Sequence, residues 1–272
     1  MNAITIDVED WFHVCGCDND PAAGSFQRRV RPNLAFRQQP ENPLDVRATF
    51  FMLGSVAEEE PSLAPMIFGA GHEIASHGYS HRPVRGMDAA AFRQELRRTG
   101  DIIERQCGRR PTGFRAPQWS LGADCRWAFD ILWEEGYLYD SSLNPLPSVG
   151  DRTGPCFPFR VRAGGGELLE FPPMVTRVPL CNLPTGGGWG FRFFPRPVIC
   201  STIGAYNRAG APAVLFLHPR EVDPLGPRLA LSPLRRFAVY GTRRDASGRL
   251  RYLLERFSFG AMEQVVESWK SA

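Results

Sequence analysis

Two acidic residues and two histidines have the spacing expected of ligands and bases at a metal centre. Asp7 and Glu9 lie two residues apart at the end of an apolar, β-rich segment, and the period of two in a strand points both side chains to the same side. His77 and His81 are four residues apart, which on one helical turn brings both imidazoles to one side. Two histidines and one carboxylate can hold a divalent ion and leave positions open for water and substrate. The sequence therefore indicates a metal site in which one acid is a ligand and its neighbour is a base.

Taken alone, each of these groups also fits a purely structural role. An isolated His-x-x-x-His pair is more often two histidines satisfied by hydrogen bonds, and acids at a strand end can cap a helix or face solvent. Cys15-Gly16-Cys17 is a weaker candidate for a metal or redox pair, because its spacing is not Cys-x-x-Cys and no second pair follows at the spacing of a zinc site. The metal interpretation depends on the acids and histidines being brought together with residues from later segments.

Alternating strands and helices are the elements that would bring them together. Apolar segments predict strands over residues 3–8, 46–53, 71–77, 113–117 and 213–218. Helices are predicted over residues 55–68, 88–106, 123–135, 197–207 and 249–257, and Pro32 limits where a further helix over 30–38 could start. Residues 144–195, rich in glycine and aromatic residues, are interpreted as long functional loops. This alternation predicts a mainly parallel sheet or barrel.

Ionisable residues recur at the carboxyl ends of the predicted strands. They are the acids of residues 7–10, His77, Arg115, Asp140 and His218. In a parallel β/α barrel these strand ends share one face, where such folds place their active sites. We therefore expect one mouth to hold all of these side chains.

The chain resembles the NodB-homology polysaccharide deacetylases, carbohydrate esterase family 4, across nearly its whole length. The resemblance rests on five segments in order, at residues 4–10, 48–51 followed by 71–81, 113–117, 139–142 and 215–219. Within that family, the Asp-Val-Glu-Asp start, the glycine-rich loop after Asn182-Leu183-Pro184 and residues 217–224 look most like the exosortase-associated deacetylases of bacterial exopolysaccharide loci.

The resemblance implies a fold and an activity. The fold would be a single-domain, distorted parallel (β/α) barrel of the NodB-homology type spanning residues 1–272, with long loops over its C-terminal face. Residues 144–195 would be a segment specific to the subgroup, and residues 225–272 a helical extension. The activity would be metal-dependent hydrolysis of the N-acetyl amide of an amino sugar in a bacterial polysaccharide or its precursor, with release of acetate. The implied cofactor is one divalent ion, zinc in the first place, with cobalt or nickel as alternatives.

The resemblance also implies roles for individual residues. The metal ligands would be Glu9, His77 and His81, with Asp10 as the alternative to Glu9, since the family's usual adjacent Asp-Asp is here Asp-x-Glu-Asp. The catalytic residues would be Asp7 as base, Arg115 keeping Asp7 ionised, His218 as acid and Asp140 orienting His218. The substrate-binding residues would be Pro117, Gln118 with a nearby backbone N–H for the oxyanion, and Trp119 as a stacking platform for the sugar.

The sequence leaves two other functions as alternatives. Relatives with this fold and a modified acidic motif hydrolyse small cyclic amides, so an allantoinase-like amidase is one alternative. A catalytically silent carbohydrate-binding protein is the other.

The composition argues against some classes of partner and predicts a cellular location. A net charge of +3 on 272 residues gives no case for nucleic acid as a partner, and no run of eighteen apolar residues predicts a membrane-spanning helix. With no visible signal peptide and seven scattered cysteines, we expect a cytoplasmic protein with reduced thiols. Peripheral association with a membrane system for polysaccharide synthesis is compatible with these features, and the expected partner is an N-acetylated saccharide.

Overall fold

The first strand lies near the middle of the main sheet. In the computed structural model, which describes residues 1–13, 29, 46–147, 149–151, 153–223, 226–241 and 246–270, strand β1 (Asn2–Val8) is buried along its whole length. It pairs in parallel with β10 (Val214–Leu217) on one side and with β2 (Thr49–Met52) on the other, and β11 (Phe259–Gly260) pairs with its beginning. The order across the sheet is β10, β1, β2, β3 (Glu73–Ser76), β4 (Gly113–Phe114), β5 (Tyr139–Asp140), β7 (Gly166–Glu170) and β6 (Phe159–Ala163). Among the described strands of this sheet, only β6 and β7 are antiparallel. The sequence prediction of a mainly parallel sheet is confirmed.

The described residues form the following elements. The strands are β1 Asn2–Val8, β2 Thr49–Met52, β3 Glu73–Ser76, β4 Gly113–Phe114, β5 Tyr139–Asp140, β6 Phe159–Ala163, β7 Gly166–Glu170, β8 Thr176–Val178, β9 Cys181–Leu183, β10 Val214–Leu217 and β11 Phe259–Gly260. The α-helices are α1 Gly54–Glu59, α2 Leu63–Gly69, α3 Ala89–Cys107, α4 Trp127–Glu134, α5 Gly188–Phe193, α6 Arg196–Arg208, α7 Pro233–Tyr240, α8 Ala246–Leu254 and α9 Met262–Lys270. None of these helices combines the length and the apolar character needed to cross a membrane.

The two faces of β1 serve different purposes. Ile4, Ile6 and Val8 point into the large core beneath the helices, whereas Ala3 lies in a second core inside the curved sheet. Helix α9 closes that inner core at the amino ends of the strands, where Thr49 accepts a hydrogen bond from its first backbone N–H. The carboxyl ends of the strands are therefore the end at which a site can open.

The predicted helix over residues 55–68 is wrong as a single helix, because it is divided into α1 and α2. The break falls at Glu60 (φ −120°, ψ 68°), directly before Pro61, as expected for a residue whose helical conformation clashes with a following proline ring. Pro65 is tolerated inside α2 because it lies in the first turn, where a backbone N–H has no partner within the helix. The prediction over residues 88–106 is confirmed, and Asp88 caps α3 by accepting a hydrogen bond from the Ala91 backbone N–H (2.8 Å).

The interpretation of residues 144–195 as long loops is also wrong. They contain the β6–β7 hairpin, which extends the main sheet, a separate β8–β9 hairpin, and helix α5. The alternation needed to recognise β6 is present, because Val161 and Ala163 are buried while Arg160 and Arg162 are exposed. Gly164 makes the tight turn of that hairpin with a φ of 60°.

The remaining predictions differ in outcome. Helices α7, α8 and α9 lie in the predicted helical extension, together with the unpredicted strand β11. The predicted helix over residues 30–38 and the cysteines at positions 15 and 17 lie outside the described residues. The described cysteines, at positions 107, 125, 156, 181 and 200, are free thiols.

Gly113→Ala is expected to destabilise the sheet. A Cβ atom at this position would lie 2.0 Å from Cζ of Tyr139, a buried side chain with no room to retreat. We expect a loss of roughly 1–3 kcal/mol in the free energy of unfolding, measured by urea denaturation. Gly69→Ala is the matched control, because nothing lies within 4 Å of its added methyl group. An equal loss in both variants would contradict the proposed clash.

Candidate active site and metal centre

The first strand delivers two carboxylates to the open end of the sheet. Asp7 is the last inward-facing residue of β1, and the chain turns directly after it, with the Glu9 backbone N–H donating to the Asp7 carbonyl oxygen (3.0 Å). Both side chains are buried and both face the ring of His218, whose Nε2 lies 3.8 Å from Asp7 Oδ2 and 3.5 Å from Glu9 Oε1. The two acids lie on one side of the site as predicted, but Glu9 lies beyond the end of β1, so the turn and not the period of the strand places it.

The two histidines come from a loop and not from a helical turn. His77 directly follows β3, and the chain then bends through left-handed backbone at Gly78 (φ 74°) and again at His81 (φ 59°). Glu95 of α3 holds the loop between them, accepting hydrogen bonds from the backbone N–H groups of Tyr79 (2.7 Å) and Ser80 (2.8 Å). The sequence predicted the right pair for the wrong local reason, since the loop, not helical periodicity, brings His81 back beside His77.

Glu9, His77 and His81 form a cluster with the composition of a metal site. One ligand atom from each lies within 4.8 Å of the others, and Glu9 Oε2 is 2.8 Å from His81 Nε2. His77 Nδ1 lies 2.8 Å from the Arg115 carbonyl oxygen, so this nitrogen carries the proton and Nε2 keeps its lone pair. Burial lowers the pKa of His77 to about 4, so the ring is neutral near pH 7. Two imidazoles with one buried carboxylate have the composition that suits a divalent cation such as zinc.

Glu9 is ionised although it is buried. Burial alone would raise the pKa of Glu9, but the charges of Arg220, His218 and His81 hold the pKa well below its usual value. Arg220 contributes an ion pair between its Nη1 atom and Glu9 Oε1. The sequence analysis missed Arg220, although its segment, residues 217–224, was noted for its resemblance to the exosortase-associated subgroup.

Asp10 does not belong to this cluster. Its Oδ1 atom accepts hydrogen bonds from the backbone N–H groups of Trp11 (3.1 Å) and Arg29 (2.9 Å). Of the two acids that the sequence left as alternatives, the structure groups Glu9 with the histidines.

Asp7 and Arg115 form a buried ion pair beside the cluster. Arg115 Nη1 donates to Asp7 Oδ1 (2.7 Å) and to Thr5 Oγ1 (2.8 Å), while its Nε and Nη2 atoms donate to the carbonyl and hydroxyl oxygens of Ser141. The guanidinium also lies 4.1 Å from the centre of the Phe51 ring and is completely buried. The predicted pairing of these two residues is confirmed.

The partner of His218 is Glu221 and not Asp140. Glu221 Oε1 lies 3.2 Å from His218 Nδ1, and the other ring nitrogen faces Asp7 and Glu9. Burial would raise the pKa of Glu221, but the hydrogen bond and charge of His218, together with Arg192 and Arg220, lower it. Glu221 was not predicted from the sequence, because an acid three positions after His218 was not considered as the group that orients its ring.

Asp140 lies instead in a second acidic pair. Its Oδ1 atom accepts a hydrogen bond from Ser142 Oγ, which in turn accepts one from the Ala116 backbone N–H (2.7 Å). Its carboxyl group also contacts that of Glu170; burial raises the pKa of both acids, and the neighbouring charge of Asp140 raises that of Glu170 further. The prediction that Asp140 orients His218 is therefore corrected: Asp140 supports the backbone next to Arg115.

The segment after Arg115 brings the predicted substrate residues to the rim of the site. Pro117 begins a short 3-10 turn, and Gln118 (φ 57°) and Trp119 (φ 55°) both have left-handed backbone. Together with His81 they are the non-glycine residues with positive φ in the described part of the chain, and such strain is concentrated at functional sites. The Trp119 ring packs edge-on against Phe216, with the ring centres 4.8 Å apart.

A cleft of about 930 Å³ lies next to this rim. Gln118 and Trp119 line it, together with polar residues that include Arg126 and Asn144. The cleft is large enough for a chain of sugar units and has the mixed polar and aromatic lining that saccharides require.

Two family models match the chain in adjoining regions. The model described as polysaccharide deacetylase matches residues 42–129, which contain both histidines of the cluster and Arg115. A model described as a domain of unknown function, DUF3473, matches residues 141–267, which contain His218 and Glu221.

Curated relatives match just under half of the chain. A peptidoglycan deacetylase-like protein of Gibberella zeae is 31% identical over 132 residues, 48% of this chain and 38% of the relative. A peptidoglycan-N-acetylglucosamine deacetylase of Bacillus cereus is 34% identical over 128 residues, 42% of this chain and 46% of the relative. The matching segment thus spans less than half of the length of either relative.

Solved structures match the whole fold. An inferred polysaccharide deacetylase from Mycobacterium smegmatis has a TM-score of 0.63 and 24% identity, covering 99% of this chain and 89% of the other. The Puue allantoinase has a TM-score of 0.62 at 18% identity, with 99% and 90% covered. A carbohydrate esterase family 4 pseudoenzyme from Bacillus anthracis has a TM-score of 0.52 at 16% identity, with 98% and 65% covered.

The structural matches show the NodB fold, a single-domain α/β half-barrel. The family model and the curated relatives support membership of the polysaccharide deacetylase family, carbohydrate esterase family 4.

Proposed function

We propose that this protein is a metal-dependent deacetylase that hydrolyses the N-acetyl amide of an amino sugar and releases acetate. The observation that carries the proposal is that three functional groups meet at the carboxyl ends of the strands. The Glu9, His77 and His81 cluster adjoins the Asp7–Arg115 pair, and His218 Nε2 lies within 4 Å of both carboxylates. This is the arrangement that metal-assisted amide hydrolysis requires: a cation site, a base and an acid.

The cluster would hold one divalent cation, with Glu9 Oε2 and the imidazoles of His77 and His81 as ligands. Zinc suits two neutral imidazoles and a carboxylate, and cobalt or nickel are the alternatives. When bound, the cation would polarise the amide carbonyl and make the attacking water more acidic.

Asp7 would take the proton of the attacking water. Its Oδ1 atom is held by Arg115, which leaves Oδ2, the atom nearest His218, directed at the open side of the site. Because Arg115 has no freedom to move within the core, the carboxylate stays in one orientation.

His218 would protonate the departing amine nitrogen. Its Nδ1 atom is held by Glu221, so its Nε2 atom is the one that faces the reacting groups. The side chain is only 13% exposed, which limits competing contacts with solvent. Fixing one nitrogen selects the tautomer and the orientation of the ring.

The substrate would be an amino sugar within a bacterial polysaccharide or its precursor. The Bacillus cereus relative is named for deacetylation of N-acetylglucosamine in peptidoglycan, which supports the chemical class. Trp119 at the rim and the adjoining cleft would receive the sugar, with a backbone N–H near Gln118 facing the oxyanion. The resemblance of residues 182–188 and 217–224 to the exosortase-associated subgroup favours an exopolysaccharide, with residues 144–195 as the subgroup-specific segment.

A cyclic amidase is the second candidate, and the likeness of the fold to an allantoinase supports it. A silent carbohydrate-binding protein would resemble the family 4 pseudoenzyme. The contacts of Asp7 with Arg115 and with His218 argue against a silent binding protein, because sugar binding alone does not need them.

Acetate release from a panel of N-acetylated saccharides tests the proposed function. We expect activity that is lost on addition of a chelator, restored by zinc, and reduced by roughly 10³-fold or more in His77→Ala. Circular dichroism of each preparation checks that the variant is folded. Activity that survives chelation would contradict the metal mechanism, and turnover of a cyclic ureide without acetate release would favour the amidase.

The identity of the carboxylate ligand can be tested with isosteric amides. Glu9→Gln removes one of the three grouped ligands, so we expect metal affinity to fall by about 10-fold to 100-fold or more. Asp10→Asn is the matched control and should bind the metal as the wild type does, because the Asp10 carboxylate accepts backbone hydrogen bonds outside the cluster. Titration with zinc, followed by calorimetry, measures both. The reverse pattern would make Asp10 the ligand.

The orienting residue of His218 can be tested in the same way. Glu221→Gln should lower kcat by about 10-fold to 100-fold with little change in KM, since it loosens the ring that protonates the amine. The pH profile of kcat should also change. Asp140→Asn, which does not contact His218, should leave the shape of that profile unaltered. A changed profile in Asp140→Asn alone would restore the role first assigned to Asp140.

A further inference from the structure

The charge of the chain is divided unequally along its length. Residues 171–241 contain eight arginines and two acids, a net charge of +6, whereas the whole chain has a net charge of +3. The rest of the molecule is therefore acidic by 3 charges, because +3 minus +6 is −3. No acid occurs between Glu170 and Glu221, or from residue 226 to residue 241. Positive charge is therefore concentrated in residues 171–241, and the rest of the chain has a net negative charge.

The same segment exposes a cluster of apolar side chains where α5 meets α7. We call it the aromatic surface and define it by Trp189, Phe193, Phe194, Leu234 and Phe237. The Trp189 and Phe193 rings of α5 lie 5.2 Å and 6.0 Å from the Phe237 ring of α7, measured between ring centres. Leu234 is 80% exposed, Phe193 45% and Phe237 40%. Leu234 lies one helical turn before Phe237, so both project from the same side of α7.

Helix α7 gives this surface a basic border. Arg235 and Arg236 stand between Leu234 and Phe237 in the sequence, and both are exposed. The helix is exposed from Leu234 to Ala238, and it contains no acid. An exposed helix with apolar and arginine side chains, and no acidic ones, has the composition of helices that lie in the interface of a membrane.

The aromatic surface is continuous with the candidate active site. Gly187 forms a bridge with Phe216, two residues before His218, and α5 begins at the next residue. Arg192 of α5 lies 3.9 Å from Glu221, the residue that holds His218. A large partner seated on α5 and α7 would therefore lie beside the mouth of the site.

We propose that the aromatic surface docks the protein on an anionic lipid bilayer, with Leu234, Phe193 and Phe237 in the interfacial region and Arg235 and Arg236 on lipid phosphates. Charge complementarity selects this occupant. Two copies of the chain meeting through this surface would bring arginines against arginines, which disfavours a dimer. Exposed leucine and phenylalanine side chains favour an acyl boundary over a fully polar polyanion. This docking goes beyond the proposed function and does not depend on the reaction.

Vesicle binding tests the proposal with the full chain. Purified protein is sedimented with two kinds of vesicle. One contains phosphatidylcholine alone, and the other also contains about 35% phosphatidylglycerol, which makes its surface anionic. We expect binding to the anionic vesicles that falls as salt is raised, and little binding to the neutral ones. Binding that is equal on both would overturn the role of the arginines, and no binding to either would overturn the proposal.

Paired variants then locate the surface. Leu234→Ser/Phe237→Ser should weaken binding by at least about 10-fold, and Arg235→Gln/Arg236→Gln by about 25-fold at low salt, about fivefold for each arginine. Leu138→Ser, a 50%-exposed side chain at the opposite end of the strands, and Arg105→Gln/Arg109→Gln, which removes the same charge from elsewhere, are the matched controls. Equal losses in the controls would contradict this surface.

Two further measurements separate docking from other outcomes. Sedimentation equilibrium of the wild type tests for a dimer that forms through the aromatic surface, and we expect none. A dimer that is lost in Leu234→Ser/Phe237→Ser would overturn the proposal. Heparin that binds as tightly as the anionic vesicles, and through the same residues, would also overturn it in favour of a polyanion site. Acetate release from a soluble saccharide should be unchanged in the surface variants, so that failure of docking and failure of the proposed deacetylase activity are distinguished.

Discussion

The buried pair of Asp7 and Arg115 is the interaction around which the molecule is arranged. A guanidinium with no exposed surface is tolerated only when its donors are all matched, because an unpaired buried charge costs several kcal/mol. The matching oxygens come from β1 and from Ser141 directly after β5, strands that lie four positions apart in the sheet. The curvature and register of the sheet must therefore be correct before this pair can form, and Asp7, the proposed base, is correctly placed only when the core has formed.

The same electrostatic requirement explains the composition of the neighbouring cluster. Glu9 remains ionised in the interior because Arg220, His81 and His218 surround it, and two of these residues come from strand ends on opposite sides of β1. Without these charges, burial would raise the pKa of this carboxyl group and make it a weaker candidate ligand. Arg220 thus belongs to the site in a physical sense, even though it lies outside the group of metal-type ligands.

The sequence predicted the elements whose signal is local and failed where tertiary contacts decide. The strands of residues 3–8 and 213–218 and the capped helix after Asp88 carry their own apolar periodicity, so they could be recognised. The break at Pro61 is local too, since the residue before a proline disfavours helical backbone, and the sequence could have indicated it. The role of Asp140 is decided by tertiary contacts, because Ser142 and Glu170 are the partners of its carboxyl group. Glu221 is instead a local partner, three residues after His218, that the sequence could have indicated.

Close backbone packing joins the candidate active site to the aromatic surface. A Cβ atom on Gly190 would lie 1.8 Å from the Pro184 carbonyl oxygen, and one on Gly187 would lie 2.4 Å from that of Phe216. The start of α5 is thus fixed against β10, the strand that leads into His218 and Glu221. Because a packed contact of this kind leaves little room for independent movement, α5 and the end of β10 are held in a fixed relation to each other. The position of the candidate active site relative to the aromatic surface is therefore set by the packing of the fold.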